Sequence, residues 1–96
     1  MTSKQLALEL GQHGITVNAV APGEIATPMT GKEDVDPSRL DRPGVPAGRP
    51  GDAREVASLI AWLCSDDAAF MTGASLPIDG GLLLVAALRN QEQAPD

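Results

Sequence analysis

The sequence predicts an α/β fold built on a parallel sheet, and three features carry that prediction. An apolar, β-branched segment at 15–21 has the composition of a strand. An amphipathic helix follows at 52–65, and a second short strand follows at 74–79. Two strands joined through a helix form a right-handed parallel pair. We therefore expect one small domain across residues 1–96, with no internal boundary.

Residues 1–11 are predicted to be the end of a helix. Leucines and alanine dominate this segment, and these are good helix formers. Gly11 follows them and can take the left-handed conformation that ends many helices. The helix is too short to be stable alone, so we expect it to pack against the rest of the chain.

The strand at 15–21 is apolar on both of its faces apart from Thr16 and Asn18. This pattern is typical of an interior parallel strand that helices cover on both sides. Pro22 and Gly23 are predicted to end it, because proline lacks a ladder donor and glycine permits a sharp turn. Pro-Gly after a strand can equally be a simple chain reversal.

Residues 22–50 are rich in proline, glycine and charge, without sustained periodicity. A connection this long in a compact domain is usually a binding loop or a lid. A short helix is possible around 37–40, with Asp36 as its cap. The acidic group Glu33, Asp34 and Asp36 is interpreted as a solvated loop rather than a metal cage, so no metal site is predicted.

The helix at 52–65 begins with a capping box, in which Asp52 and Glu55 each accept a backbone N–H of the first turn. Apolar residues then recur at i, i+3, i+4 and i+7, which predicts a face that packs on a sheet: Val56, Leu59, Ile60 and Leu63. Arg49 and Glu55 are expected to fix the junction between loop and helix electrostatically.

The last strand, at 74–79, contains Pro77, which favours a position at the sheet edge because a missing N–H does no harm there. Asp79 before two glycines is interpreted as a turn former rather than a catalytic acid. Residues 82–96 are predicted to be a C-terminal tail, apolar to Leu88 and polar beyond it.

Composition limits the classes of partner. Seven basic residues against 13 acidic ones give a net charge of −6, which disfavours nucleic acid and anionic membranes. The longest uncharged apolar run is too short to span a bilayer, and no signal peptide is visible. One cysteine, Cys64, cannot form an intrachain disulfide, which suits a reducing, cytoplasmic compartment.

Two segments together resemble the short-chain dehydrogenase/reductase family. Residues 6–29 read LALELGQHGITVNAVAPGEIATPM, similar to the family's helix, strand and Pro-Gly-x-Ile/Val-x-Thr turn. Residues 47–81 read AGRPGDAREVASLIAWLCSDDAAFMTGASLPIDGG, similar to its GRxGxPxEVA helix and its TG…DGG ending. Each piece is weak alone, but the ordered set is specific. The resemblance implies the C-terminal part of a Rossmann-type, doubly wound parallel sheet, with 74–79 as the edge strand.

The resemblance also implies a binding site for NAD or NADP at the turn after the first strand. Pro22 and Gly23 would bring the backbone close to the nicotinamide, since Gly23 has no side chain. Ile25 would offer backbone groups to the carboxamide, and the Thr27 hydroxyl would contact the carboxamide or a phosphate. Residues 28–50 resemble the family's lid over a small alcohol or carbonyl substrate.

The family's catalytic groups are absent from these 96 residues. Members use a serine with a Tyr-x-x-x-Lys pair, and this chain has no tyrosine. No two glycines are spaced as G-x-G, so the phosphate-binding turn is missing too. We therefore assign no catalytic residue and expect a truncated piece, inactive alone.

Two alternatives stay open. One is a non-catalytic interaction module, retained for assembly with complete subunits, and the other is one half of a split enzyme that a separately encoded N-terminal half completes. As partners we expect further copies in a homo-oligomer or the missing N-terminal part.

Overall fold

The computed structural model describes residues 1–26, 36 and 39–93. In chain order the elements are α1 (Ser3–Leu10), a 3₁₀ turn (Gly11–His13), β1 (Ala19–Pro22), β2 (Ile25–Ala26), β3 (Gly51–Asp52), α2 (Ala53–Leu63), a 3₁₀ turn (Asp66–Ala68), β4 (Ser75–Ile78) and α3 (Leu82–Gln93). Both strand pairs are parallel, β1 with β4 and β2 with β3. The predicted α/β class with parallel strands is confirmed.

β1 and β4 pair in a register that sets Ala19 opposite Ser75 and Pro22 opposite Ile78. β1 is shorter than the predicted 15–21 and includes Pro22. The preceding residues bond elsewhere, because the Val17 N–H donates to Thr72 Oγ1 at 3.0 Å. The Asn18 side chain donates to the Met71 carbonyl at 3.1 Å and accepts the Ala74 N–H at 3.1 Å. The Asn18 side chain thus connects the segment before β1 to the segment before β4.

Pro77 lies in β4 without cost to this ladder. The Ala19 N–H donates to the Ala74 carbonyl at 2.9 Å, and the Gly23 N–H donates to the Ile78 carbonyl at 3.1 Å. Main-chain groups of alternate residues face the same neighbour, so those of Pro77 point away from β1. The missing N–H therefore lies on the outer edge of β4, as the predicted edge position requires.

The end of α1 differs from its prediction. Gly11 has a right-handed φ of −57° and continues the chain into a 3₁₀ turn. Gly14 instead takes the left-handed conformation, with φ of 72°, and its N–H donates to the Gly11 carbonyl at 3.0 Å. At the other end a capping box joins Thr2 and Gln5. The stop signal of this helix thus lies three residues beyond the predicted one.

The predicted capping box of α2 is present. The Arg54 N–H donates to Asp52 Oδ1 at 2.9 Å, and the Asp52 N–H donates to Glu55 Oε1 at 3.0 Å. The helix ends at Leu63 rather than at residue 65. There the Ser65 hydroxyl donates to the Trp62 carbonyl at 2.6 Å and satisfies a carbonyl of the last turn.

The predicted tail at 82–96 is instead a helix, α3, through Gln93. Asp79 explains its start, because its carboxylate accepts the Gly81 N–H at 2.9 Å and the Leu83 N–H at 3.0 Å. Both glycines of the turn have positive φ, 64° at Gly80 and 95° at Gly81, which glycine adopts without strain. Asp79 is therefore a turn former, as predicted, and also a cap for α3.

Little of the described chain is buried. The buried apolar residues are Ala7, Val45 and Ala68, with Pro50 the largest fully buried side chain. Ile60, on the predicted inner face of α2, is 48% exposed. The radius of gyration is 16.6 Å, against about 12–13 Å for a compact domain of this length. The described elements therefore form an open layer rather than a closed core.

We expect Asp79→Ala to destabilise the start of α3, because two backbone N–H groups lose their acceptor. The expected loss is about 0.5–2 kcal/mol in the free energy of unfolding, with reduced ellipticity at 222 nm. Asp79→Asn keeps one side-chain oxygen acceptor and serves as the control, with a smaller loss. Equal helicity in Asp79→Ala and the unmodified chain would contradict this assignment.

Candidate functional site

The candidate site is the turn that follows β1, at the carboxyl end of the parallel pair. Three strands hold it. The Gly23 N–H donates to Ile78 of β4, and the Glu24 carbonyl accepts the Gly51 N–H of β3 at 2.8 Å. β2 then runs parallel to β3, with Ile25 opposite Gly51. The turn is thus fixed by hydrogen bonds to strands that lie 27 and 55 residues away along the chain.

Gly23 is required by its neighbour in the sheet. A Cβ at this position would lie 2.7 Å from Asp79 Cβ and 2.9 Å from Asp79 Cα. Such distances force a backbone shift, because one of the atoms belongs to the main chain. The sequence prediction attributed the missing side chain to a close approach by the nicotinamide. The structure supplies a different reason, which is the packing of β1 against the end of β4.

The Ile25 main chain points away from its partner strand. The Glu24 carbonyl accepts a bond from β3, and in a parallel ladder alternate residues face opposite sides. The N–H and C=O of Ile25 are therefore directed away from β3. An adjacent donor and acceptor of this kind match the needs of an amide.

The four predicted site residues are only partly covered by the structure. Pro22 is exposed at the end of β1, and Gly23 and Ile25 are half-buried in the turn that follows. These three residues lie within four positions at one sheet end. Thr27 lies outside the described residues, and its role stays a prediction.

Two ion pairs flank the turn. Arg49 donates two bonds to the Glu55 carboxylate, from Nη1 at 2.7 Å and from Nη2 at 3.0 Å. This pair joins the loop to α2, and the predicted role of Arg49 and Glu55 at that junction is confirmed. Arg42 Nη2 lies 2.8 Å from Glu24 Oε2. The second pair was not predicted, because 18 residues and no periodic pattern separate its members.

The Glu55 carboxyl is unusually acidic. The hydrogen bonds from Arg49 lower its pKa most, the Asp52 N–H lowers it further, and together they bring the pKa from 4.5 to about 2. The same contact raises the pKa of Arg49. The two side chains are 34% and 45% exposed, so solvent screens the pair and limits its contribution to stability.

The C-terminal part of the predicted lid is anchored. The Arg42 N–H donates to the Gly48 carbonyl at 2.8 Å, and the Ala47 N–H donates to the Gly80 carbonyl at 2.9 Å. Val45 is buried against Gly80, where a Cβ would lie 2.8 Å from Val45 Cγ1. Residues 27–35 and 37–38, which include the first half of the possible helix at 37–40, lie outside the described residues.

The cavity beside the turn is small. It has a volume of about 100 Å³ and is lined by residues that include Ile25, Gly51, Val56 and Ile78. Sites for small molecules commonly have about 300–1,000 Å³. The cavity is thus smaller than a typical small-molecule site. No group of three histidine, cysteine or acidic side chains suited to a metal ion occurs among the described residues.

Lys4 and Cys64 show no catalytic arrangement in the structure. Lys4 Nζ donates to the Gly73 carbonyl at 2.8 Å, which ties α1 to the turn before β4. The apolar helical segment around Cys64 predicts a buried, inert thiol, but Cys64 is exposed at the end of α2. Within the described ranges, no helix combines the length and the apolar character needed to cross a membrane.

Comparison with known proteins identifies close relatives. Residues 1–83 match a family model described as enoyl-(acyl carrier protein) reductase. An oxidoreductase from Escherichia coli, YohF, is 50% identical over 90 residues, 94% of this chain and 36% of its own length. The 3-oxoacyl-[acyl-carrier-protein] reductase FabG of Haemophilus influenzae is 49% identical over 82 residues, 85% of this chain and 34% of its own.

A solved structure shows the same arrangement of elements. The acetoin dehydrogenase of Enterobacter cloacae superposes with a TM-score of 0.70 at 53% identity, covering 85% of this chain and 32% of that one. The chain therefore spans about a third of the length of the relatives it matches.

Gly23→Ala is expected to destabilise the chain by about 1–3 kcal/mol, because the added methyl group overlaps the Asp79 backbone. Gly11→Ala is the matched control. Gly11 has a helical φ and no atom within 4 Å of an added Cβ, so a gain of about 0.4–1 kcal/mol is expected. Urea unfolding measures both, and equal effects of the two substitutions would refute the steric argument.

Glu55 is expected to make the chain less stable in acid. Its pKa is lower in the folded chain, so its contribution is fully present above about pH 4.5 and is lost as the pH falls toward 2. The difference in free energy of unfolding between the unmodified chain and Glu55→Gln should shrink across this range. The ¹³C shift of the Glu55 carboxyl should titrate near pH 2, and a midpoint at or above 4 would contradict the assignment.

Proposed function

We propose that this chain, which belongs to the short-chain dehydrogenase/reductase family, forms the nicotinamide-side wall of an NAD(P)-dependent oxidoreductase. One observation carries the proposal. The turn from Gly23 to Ala26 lies at the carboxyl end of a parallel strand pair, and open α/β sheets bind ligands at that end of their strands. The described chain would be the C-terminal part of a Rossmann-type sheet.

The proposed contacts follow the direction of the main chain. The N–H and C=O of Ile25 point away from β3 and would bond the carboxamide, whose amide has a complementary acceptor and donor. Pro22 and Gly23 would line the approach to the ring. The Thr27 hydroxyl would complete the set by bonding the carboxamide or a phosphate. When bound, the nicotinamide supplies the hydride chemistry, and these residues orient it.

The catalytic acid would come from outside these 96 residues. Proton transfer to a carbonyl oxygen needs a positioned acid, and the family's tyrosine has no counterpart here because the sequence contains none. No G-x-G turn is present to hold a pyrophosphate. We therefore propose that the chain alone orients no complete cofactor and turns over no substrate.

The substrate class is a small ketone or its alcohol. The relatives are named for acetoin, a hydroxy ketone, and for 3-oxoacyl thioesters. Both carry a reducible ketone close to a second oxygen function. We propose a substrate of this type for the intact site, with its position set by residues 28–50 together with the part that supplies the catalytic acid.

A chimera tests the proposal. The segment of the Salmonella typhimurium acetoin dehydrogenase YohF that matches this chain is replaced by the corresponding segment of this chain, and NADH and NADPH oxidation is followed with acetoin. We expect turnover by the chimera and none by the isolated chain, which should also show no measurable dinucleotide affinity. A folded chimera that binds neither dinucleotide, or turnover by the isolated chain, would overturn it.

A substitution in the chimera tests the Thr27 contact. Thr27→Val keeps the side-chain shape and removes the hydroxyl, so we expect the KM for the dinucleotide to rise by roughly 2–12-fold, the loss of one hydrogen bond. Thr16→Val makes the same chemical change ahead of β1 and serves as the control. Equal KM values for the two variants would contradict a contact between the Thr27 hydroxyl and the dinucleotide.

A further inference from the structure

We propose that the Arg49–Glu55 ion pair positions the Glu24–Ile25 backbone, and so acts as the positioning pair of the nicotinamide-side turn. The inference rests on the proposed function for its meaning, since it concerns the turn assigned there to the cofactor. Neither side chain belongs to that turn. Both act through β3, which lies between them in the chain and beside the turn in space.

The Glu55 carboxylate gathers three N–H groups. It accepts the Asp52 N–H at 3.0 Å, and it accepts two guanidinium bonds from Arg49 at 2.7 and 3.0 Å. The two-point contact fixes the plane of the guanidinium against the plane of the carboxylate. One side chain on the first turn of α2 therefore holds residues on both sides of Gly51.

The short segment between the two attachments has little freedom. Arg49 Nη1 also donates to the Pro50 carbonyl at 3.0 Å, and Pro50 is fully buried. Proline fixes its own φ. Gly51 follows directly and precedes Asp52, which is bound to Glu55. Gly51 thus lies between Arg49 and Asp52, which are both hydrogen-bonded to Glu55 of α2.

Gly51 transmits this position to the turn. Its N–H donates to the Glu24 carbonyl at 2.8 Å, and it stands opposite Ile25 in the β2–β3 pair. A Cβ on Gly51 would lie 2.7 Å from Ile25 Cδ1, so the isoleucine side chain covers the glycine. Displacement of the 49–52 segment would therefore displace Glu24 and Ile25 together.

The alternative role for the pair is general stabilisation, and its surroundings argue against that. Both side chains are about a third to a half exposed, and exposed ion pairs add little to stability. The Arg49–Glu55 pair is bidentate and is also part of the cap of α2. Its geometry is therefore defined, which suits a positioning role. Arg42 and Glu24 make a single contact at the same turn, and neither residue belongs to α2. This pair is therefore a useful control for an ion pair that does not join the turn to the helix.

Amide hydrogen exchange of the full 96-residue chain tests the inference. Glu55→Gln removes the charge but keeps an oxygen to accept the Asp52 N–H, so the helix cap is preserved. Arg49→Lys keeps the charge but loses the two-point contact. In both variants we expect exchange of the Gly51 amide to rise by about fivefold or more and the Ile25 amide resonance to shift.

The Ala19 amide reports on the β1–β4 pair, because it donates to the Ala74 carbonyl at 2.9 Å. Its exchange should stay unchanged in both variants, and Arg42→Gln should leave Gly51 unchanged. A parallel rise at Gly51 and Ala19 would mean that the pair only stabilises the chain as a whole, and would overturn the inference. Unchanged Gly51 exchange in the variants, or an unprotected Gly51 in the unmodified chain, would overturn it as well.

The test requires no cofactor, so it is separable from the proposed function. A chimera without turnover alongside selective exchange at Gly51 would refute the proposed function and leave the mechanical link intact. An active chimera with no selective change would refute the link alone. In an active chimera, Glu55→Gln should further raise the KM for the dinucleotide more than it lowers kcat.

Discussion

The parallel pairing of β1 with β4 is the contact on which the other described elements depend. It joins residues 19–22 to residues 75–78 across a long crossover. Closing a loop of that length has an entropy cost, which is offset only when both strands pair. Gly23 then packs against Asp79 at a distance that excludes any side chain. The end of β1 and the end of β4 are therefore fixed together, and the candidate site starts from this point.

From that junction the chain builds outward in two directions. On one side Asp79 caps α3, and the Gly80–Gly81 turn receives the loop around Val45. On the other side the turn continues through Ile25 to β3, whose position is tied to the first turn of α2 by Glu55. The proposed cofactor wall thus lies between two hydrogen-bonded attachments, although the wall itself is a turn with little regular structure.

Most features set by local chemistry were predictable from the sequence, and features set by distant partners were not. The Asp52 capping box and the edge position of Pro77 follow from residue types a few positions apart. The length of β1 does not, because Val17 and Asn18 bond to residues more than 50 positions away. The ion pair between Arg42 and Glu24 was also not predictable, because no local pattern links the two residues. The start of α3 was missed because its cap, Asp79, lies before two glycines that indicate a turn.

The proposed function requires that the chain is one portion of a wider sheet. Ala19 and Gly23 donate toward β4, so the Val20 N–H points to the opposite edge of β1, where no strand pairs within the described residues. Val20 also lines an open depression of about 680 Å³ with Ile60 and Leu63. Amide exchange at Val20 is the most direct measurement. We predict fast exchange relative to Ala19 in the isolated chain and strong protection in the YohF chimera. Equal protection of Val20 and Ala19 in the isolated, monomeric chain would contradict the claim.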